Sequence, residues 1–148
     1  MTIYFGADHC GNDLKEAIKR EFVKDGYHLR DLSPETPEGG DDYPDYAFAV
    51  GEAVARDQGA RGVLVCDTGV GMSIAANKVK GVRAALVTDV FGAKRAREHN
   101  DANIIVFGAQ TIDKKTAIES AKYFVETIFS SAERHERRIN KIKFRENF

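Results

Sequence analysis

Cysteine, long apolar runs and net charge are all scarce in this chain, and each scarcity narrows what it can be. Only two of its 148 residues are cysteines, Cys10 and Cys66. Two thiols do not make a disulfide framework, and no Cys/His spacing has the form of a zinc finger, so no metal is expected. No apolar run approaches the roughly 18 residues of a membrane helix, and the start of the chain has no secretory pattern. The expectation is a reduced, cytoplasmic protein with no membrane partner. A formal net charge of -1 supplies no field that would draw the chain to nucleic acid. No G-x-G-x-x-G follows the first apolar run, which disfavours a dinucleotide site. Internal repeats and low-complexity segments are absent as well.

What is present is an ordinary globular composition, 43% apolar and 30% charged, and a length that suits one domain over residues 1–148. Thr2–Phe5 reads as a strand. The spacing of Leu14, Ala17, Ile18 and Phe22 predicts a helix capped by Asn12 or Asp13 and stopped by Gly26. Tyr27–Leu32 reads as a second strand. Ser33–Pro44 holds all three prolines and reads as a loop. Helical periodicity over Tyr46–Ala55 leads to a third strand, Val63–Val65. A fourth strand, Arg83–Val87, precedes a helix over Phe91–Glu98 that Thr88 or Asp89 caps. A fifth, Asn103–Phe107, precedes an amphipathic helix over Thr111–Phe129. A basic helix over roughly Glu133–Phe144 closes the chain. Strands alternate with helices and no hairpin signal joins consecutive strands. That pattern predicts an α/β fold of three layers, Rossmann-like, with a five-stranded parallel sheet, helices on both faces and an extended C-terminal helix. Ligands of such folds bind beyond the carboxyl ends of the strands. Three polar loops follow strands here: Asp8-His9, Cys66–Ser73 and Thr88-Asp89.

The stretch Gly62–Lys78 carries the densest chemical signal. Its strand runs into Cys66, then Asp67, Thr68, Gly69, Val70 and Gly71, and Ser73 opens a helix over Ile74–Ala76. Strand, glycine turn and helix start together make an anion cradle of backbone N–H groups. Cys66 stands where the strand meets that cradle, so a thiol and oxyanion donors are adjacent, and a helix start lowers a thiol pKa. The local pattern fits a buried structural cysteine equally well. Arg134 and Arg138 are four apart and share one helical face, as a bidentate phosphate site would need; the same basic run also fits a solvated face. His99 follows a helix end, where a surface histidine is favoured as a cation. His28 and His135 read as strand and helix-surface residues, Tyr43 and Tyr46 as packing residues beside a proline turn, with a place close to the pocket as the second choice for Tyr46, and Cys10 as structural.

Taken together these residues resemble the ribose-5-phosphate isomerase B / galactose-6-phosphate isomerase family. The carriers are Gly6-Ala7-Asp8-His9, Asp42-Tyr43-Pro44-Asp45-Tyr46, Cys66 to Ser73 with Ala75-Ala76-Asn77-Lys78, Arg83-Ala84, Glu98 to Asn103, and Arg134-His135 with Arg138. They run in the family's order over nearly the whole chain, closer to the ribose-5-phosphate branch. The resemblance implies interconversion of a phosphorylated aldose and ketose through a cis-enediol, without metal or organic cofactor. It implies Cys66 as the base, Thr68 hydrogen-bonded near it and His99 assisting ring opening. Asp8, His9, Asp67, Gly69, Val70, Gly71, Ser73, Asn100, Arg134 and Arg138 would bind substrate, with the arginines on phosphate. It also implies a homo-oligomer, dimer or tetramer, with each site built across two chains.

Asp67 departs from the family, which usually has glycine there. A carboxylate beside the thiol would raise its pKa and oppose an anionic enediolate. The substrate could therefore be another sugar phosphate: allose 6-phosphate, galactose 6-phosphate or a tetrose 4-phosphate. A silent phosphosugar-binding module would need the arginines but neither Cys66 nor His99. A redox sensor would need Cys10 as a resolving thiol.

Overall fold

The computed structural model describes residues 1–147. Among them run β1 (Thr2–Ala7), α1 (Asn12–Lys24), β2 (His28–Asp31), α2 (Tyr43–Arg56), β3 (Arg61–Cys66), α3 (Val70–Ala76), β4 (Ala84–Leu86), α4 (Val90–Asn100), β5 (Ile104–Gly108), α5 (Lys114–Glu126) and α6 (Glu133–Arg145). The five strands form one sheet in the order β2-β1-β3-β5-β4, every pair parallel. No helix among the described residues is long and apolar enough to cross a membrane.

Strand alternation divides the core into two layers. Ile3, Phe5, Ala7, Val63, Val65, Ile105 and Phe107 face one way, where Leu14, Ile18 and Phe22 of α1 and Ala117, Ala121 and Phe124 of α5 cover them. Tyr4, Leu64, Cys66, Ile104 and Val106 face the other, against Ala47, Val50 and Val54 of α2 and Met72 and Ala76 of α3. Both faces of the central strands are covered, which is why they read as continuous apolar runs. Phe5, Phe22, Phe107 and Phe124 are fully buried, and each such ring contributes about 1.5–3 kcal/mol by leaving water.

Several element ends differ from the sequence reading. Gly11, not Asn12 or Asp13, is the N-cap of α1, with no side-chain bond to the helix. Its backbone lies so close to β3 that a Cβ would stand 2.3 Å from the Val65 carbonyl oxygen. α2 starts at Tyr43 with Pro44 in its first turn, where the missing proline N–H costs nothing. α3 starts at Val70 after Gly69, which holds φ +78° as the N-cap; Ser73 is therefore inside the helix, its N–H donating to the Gly69 carbonyl (2.9 Å). α5 is shorter than Thr111–Phe129 because Asp113 caps it, accepting from the Thr116 N–H (3.0 Å). Asp89 caps α4 by accepting from Gly92 (2.6 Å), so the loop after β4 is explained by the helix it starts.

One buried cation organises the carboxyl end of β1. The Lys15 side chain is fully buried, 2.8 Å from Asp31 and 3.3 Å from Glu16. It donates to Ser33 Oγ (2.9 Å), which in turn donates to Asp31 Oδ1 (2.8 Å) and accepts from the Ala7 N–H (3.3 Å). Lys19 adds a second cation 2.6 Å from Asp31. Every member has a charged or hydrogen-bonding partner, which is the condition for tolerating a buried lysine.

Candidate active site

The sheet order reverses between β1 and β3: β1 leads back to β2 on one side and on to β3 at the other. Polar residues at this switch point fall in the crevice where open α/β sheets take ligands. Asp8 follows the last residue of β1 and is buried; Cys66 ends β3 and is buried. The loop that follows is held by three close approaches. A Cβ on Gly69 would meet Leu86 at 2.5 Å, and one on Gly71 would meet the Tyr43 ring at 2.4 Å. One on Gly108 would meet the Thr68 carbonyl at 2.4 Å. The glycines therefore let the loop lie against the end of β5 and beneath Tyr43.

The Gly69 N–H donates to Cys66 Sγ (3.2 Å). Burial pushes the Cys66 thiol up, and the charge of Asp8 adds to this; the N–H groups of Met72, Gly69 and Thr68 pull in the opposite direction without overcoming it. The expectation that the helix start lowers this pKa is thus corrected: the donors are present, but α3 is short and desolvation is larger. Ser73's N–H is taken by the helix, so the donors left for a developing oxyanion are those of the first turn, which have no intrahelical partner. The Thr68 hydroxyl accepts from Val70 N–H at 3.4 Å, and Thr68, Val70 and Asp67 are exposed around the thiol.

His9 is fixed by a residue that the sequence reading left out. Asp41 Oδ1 accepts from the His9 ring at Nδ1 (2.5 Å) and from its backbone N–H (3.1 Å), while the Tyr46 hydroxyl donates to Asp41 Oδ2 (2.9 Å). The bond to Asp41 raises the His9 pKa. Burial works against Asp41, but His9 and Tyr46 hold its carboxyl below the ordinary value. Burial and Asp41 together push Tyr46 up to about 12, so Tyr46 is a link in this chain rather than a packing residue only. The acid pair Asp41-Asp42 just before Tyr43-Pro44 was the available signal. Asp67 is exposed, and its charge acts on His9, a contribution that the strand pattern alone did not reveal.

The remaining candidates lie elsewhere. α4 runs back from the carboxyl edge of the sheet to its amino edge, where Arg83, just ahead of β4, donates to the carbonyls of Asn100 (3.0 Å) and Asp101 (2.7 Å). His99 is therefore at the amino edge. Its ring stacks on His135 of α6 with centroids 4.2 Å apart and planes 12° from parallel. His135 is buried, which corrects its reading as a helix-surface residue. It shares the apolar face of α6 with Ile139, four residues on, which was the missed signal. Burial, and then the charges of His99, Arg134, Arg138 and Arg95, hold its pKa below the ordinary value. Arg134, Arg138 and Asn100 are exposed.

The two groups are far apart within one chain. Gly62 pairs with Ile104 at the amino edge, and Cys66 pairs with Gly108 at the carboxyl edge. Four residues of strand separate those levels, about 13 Å at 3.3 Å per residue. Asp8, His9 and residues 66–73 thus form one group, and His99, Asn100, Arg134 and Arg138 another.

Comparison with known proteins gives this arrangement a family. The Ribose/Galactose Isomerase family model matches residues 3–142. The chain belongs to that family. YwlF of Bacillus subtilis is 44% identical over 142 residues, 96% of this chain and 95% of that one. Ribose-5-phosphate isomerase B of Mycobacterium tuberculosis is 38% identical, covering 95% of this chain and 86% of that protein. A crystal structure of ribose-5-phosphate isomerase B from Mycoplasma genitalium with bound ribulose-5-phosphate superposes with a TM-score of 0.94 at 37% identity, over 99% of this chain and 96% of that one. Fold class and family membership therefore agree with the resemblance read from the motifs.

Proposed function

We propose that the protein is an aldose–ketose isomerase that interconverts ribose 5-phosphate and ribulose 5-phosphate. The observation that carries the reading is the thiol of Cys66 beside the first-turn N–H groups of α3 at the switch point, in a chain of this family. Isomerisation through an enediol needs one base that takes the proton from C2 and returns it at C1, and donors for the oxygen that gains charge. The Cys66 thiolate takes the proton and the C2–H electron pair moves into the C1–C2 bond. The carbonyl π pair goes to oxygen, where the N–H donors and Thr68 meet it. His99 exchanges a proton with the ring oxygen during opening, a task for an imidazole, which can both give and take a proton. Arg134 and Arg138 pair with phosphate, and Asp8, His9 and Asn100 bind hydroxyls. No metal or organic cofactor has a part in these steps.

One substrate cannot reach both edges of the same sheet. The second supporting argument is therefore the separation of about 13 Å: a working site combines the Cys66 group of one chain with the His99 and arginine group of a second, in a dimer or tetramer. A reduced compartment suits an enzyme whose base is a thiol, so the reading includes a cytoplasmic location.

Asp67 favours a second reading, the same chemistry on another sugar phosphate. Its exposed carboxylate can accept from a substrate hydroxyl. The test is isomerase activity of the purified protein on ribose 5-phosphate, allose 6-phosphate, galactose 6-phosphate and a tetrose 4-phosphate, with Cys66→Ala and Asp67→Gly alongside. Activity on ribose 5-phosphate that falls at least about 100-fold in Cys66→Ala is expected. Turnover of none of the four, or full activity without the thiol, would remove the proposal. Asp67→Gly is expected to change relative kcat/KM across the panel; an unchanged order would show that Asp67 does not select the sugar.

A further inference from the structure

The turn after β1 places three consecutive metal-binding side chains on one spot. A carboxylate oxygen of Asp8, a ring nitrogen of His9 and the sulfur of Cys10 all lie within 4.8 Å of one another. The isomerase mechanism uses Asp8 and His9 for hydroxyl contacts and has no use for Cys10, which is an exposed free thiol. We propose that Asp8, His9 and Cys10 form a binding site for a thiophilic divalent cation of the zinc type, and that the cation inhibits by occupying the substrate groove.

Three features make this a built site and not a chance cluster. First, His9 has the outer-shell partner that metal-binding histidines characteristically have. Its Nδ1–H donates to Asp41 Oδ1 (2.5 Å), which fixes the tautomer and turns the Nε2 lone pair to the Cys10 thiol, and Tyr46 holds Asp41 in turn. Second, Nε2 lies 3.4 Å from Cys10 Sγ. A tetrahedral zinc ion with Zn–S of about 2.3 Å and Zn–N of about 2.0 Å sets that separation at about 3.5 Å. The thiol–imidazole hydrogen bond thus already holds the pair at the separation that a shared ion requires. Third, the turn is rigid. The Gly11 N–H donates to Asp8 Oδ1 (2.9 Å) and to the Asp8 carbonyl (3.2 Å), and Gly11 is pressed against Val65.

One sulfur, one nitrogen and one oxygen are a donor set for zinc or a similar borderline-soft ion, not for magnesium or calcium. Three protein ligands leave a fourth position for water. On binding, the Cys10 thiol gives its proton to solvent as the S–Zn bond forms, with no change of oxidation state. Because the ion takes Asp8 and His9, it and the sugar phosphate exclude each other. Only this inhibition rests on the isomerase reading; binding of the ion does not.

Cobalt(II) is the probe for binding, because a thiolate–cobalt bond gives a near-ultraviolet charge-transfer band. Titration of the intact protein is expected to give that band at one ion per chain, displaced by zinc. Cys10→Ala should lose the band and bind zinc about 100-fold more weakly, while Cys66→Ala keeps both. Asp41→Asn should weaken zinc about 10-fold through the histidine. Absence of the band, its survival in Cys10→Ala, its loss in Cys66→Ala, or unaltered affinity in Asp41→Asn would each overturn the site. In the activity arm, zinc should raise the KM for ribose 5-phosphate in the wild type and leave Cys10→Ala, whose zinc-free turnover is unchanged, uninhibited. Equal inhibition of both proteins would overturn the inhibitory role even with the binding site intact.

Discussion

Burial sets the Cys66 thiol above its ordinary value, and the neighbouring Asp8 charge raises it further. With Cys66 as the proposed base, activity is expected to climb as pH rises toward that raised value. Removing the Asp8 charge should lower it. We predict that Asp8→Asn shifts the pH midpoint of Cys66 alkylation by iodoacetamide downward, read in a Cys10→Ala background without substrate. An unshifted or higher midpoint would remove Asp8 from the electrostatics of the base. At this scale the sequence displayed the candidate groups but not their surroundings. Cys66 and Thr68 were singled out by the family resemblance, since the local pattern fits a structural cysteine equally well, and the glycine turn was legible from the strand that runs into it. The sign of the thiol shift was not, because it depends on how deeply the strand end is buried against α2 and α3. Asp41 was missed for a related reason: its role comes from a contact between a loop after β2 and a turn after β1, 32 residues apart.

Among the elements, α1 and β2 are tied by the Lys15–Asp31 pair. Burial works against Asp31, but the bonds from Lys15, Lys19 and Ser33 outweigh it and hold its carboxyl below the ordinary value. A depressed carboxylate contributes stability above its unfolded pKa, near 3.9, and loses it as pH falls through the lower folded value. Asp31→Ala leaves Lys15 buried with only Glu16 and Ser33 and should cost about 3 kcal/mol at pH 7. Urea unfolding at pH 7 and pH 3 checks this. The gap between variant and wild type should narrow at the lower pH, and a gap that stays constant would mean that the pair does not act through charge. The helices and strands themselves were readable from periodicity, and of the two caps open for α4, Thr88 and Asp89, the structure selects Asp89. Their ends were less so. α2 absorbs Tyr43-Pro44 because proline is tolerated in a first turn, and α3 begins three residues early because Gly69 turns the chain at positive φ.

For the whole molecule, the decisive fact is that the two groups of candidate residues occupy opposite edges of one sheet. Motif order in the sequence could not display that, because Glu98-His99-Asn100 forms the last turn of α4, a helix that runs back to the opposite edge of the sheet. Two chains related by a two-fold axis would bring each Cys66 group against the other's His99 group. The measurement that tests this most directly is complementation. Cys66→Ala and His99→Asn chains, carrying different affinity tags, are co-expressed and the mixed dimer is purified through both tags. Each homodimer is inactive or nearly so. The mixed dimer holds one site with both groups intact and one with neither, so it should recover about half of wild-type activity per dimer. A mixed dimer as inactive as its two parents would contradict the shared site and return the whole reaction to a single chain.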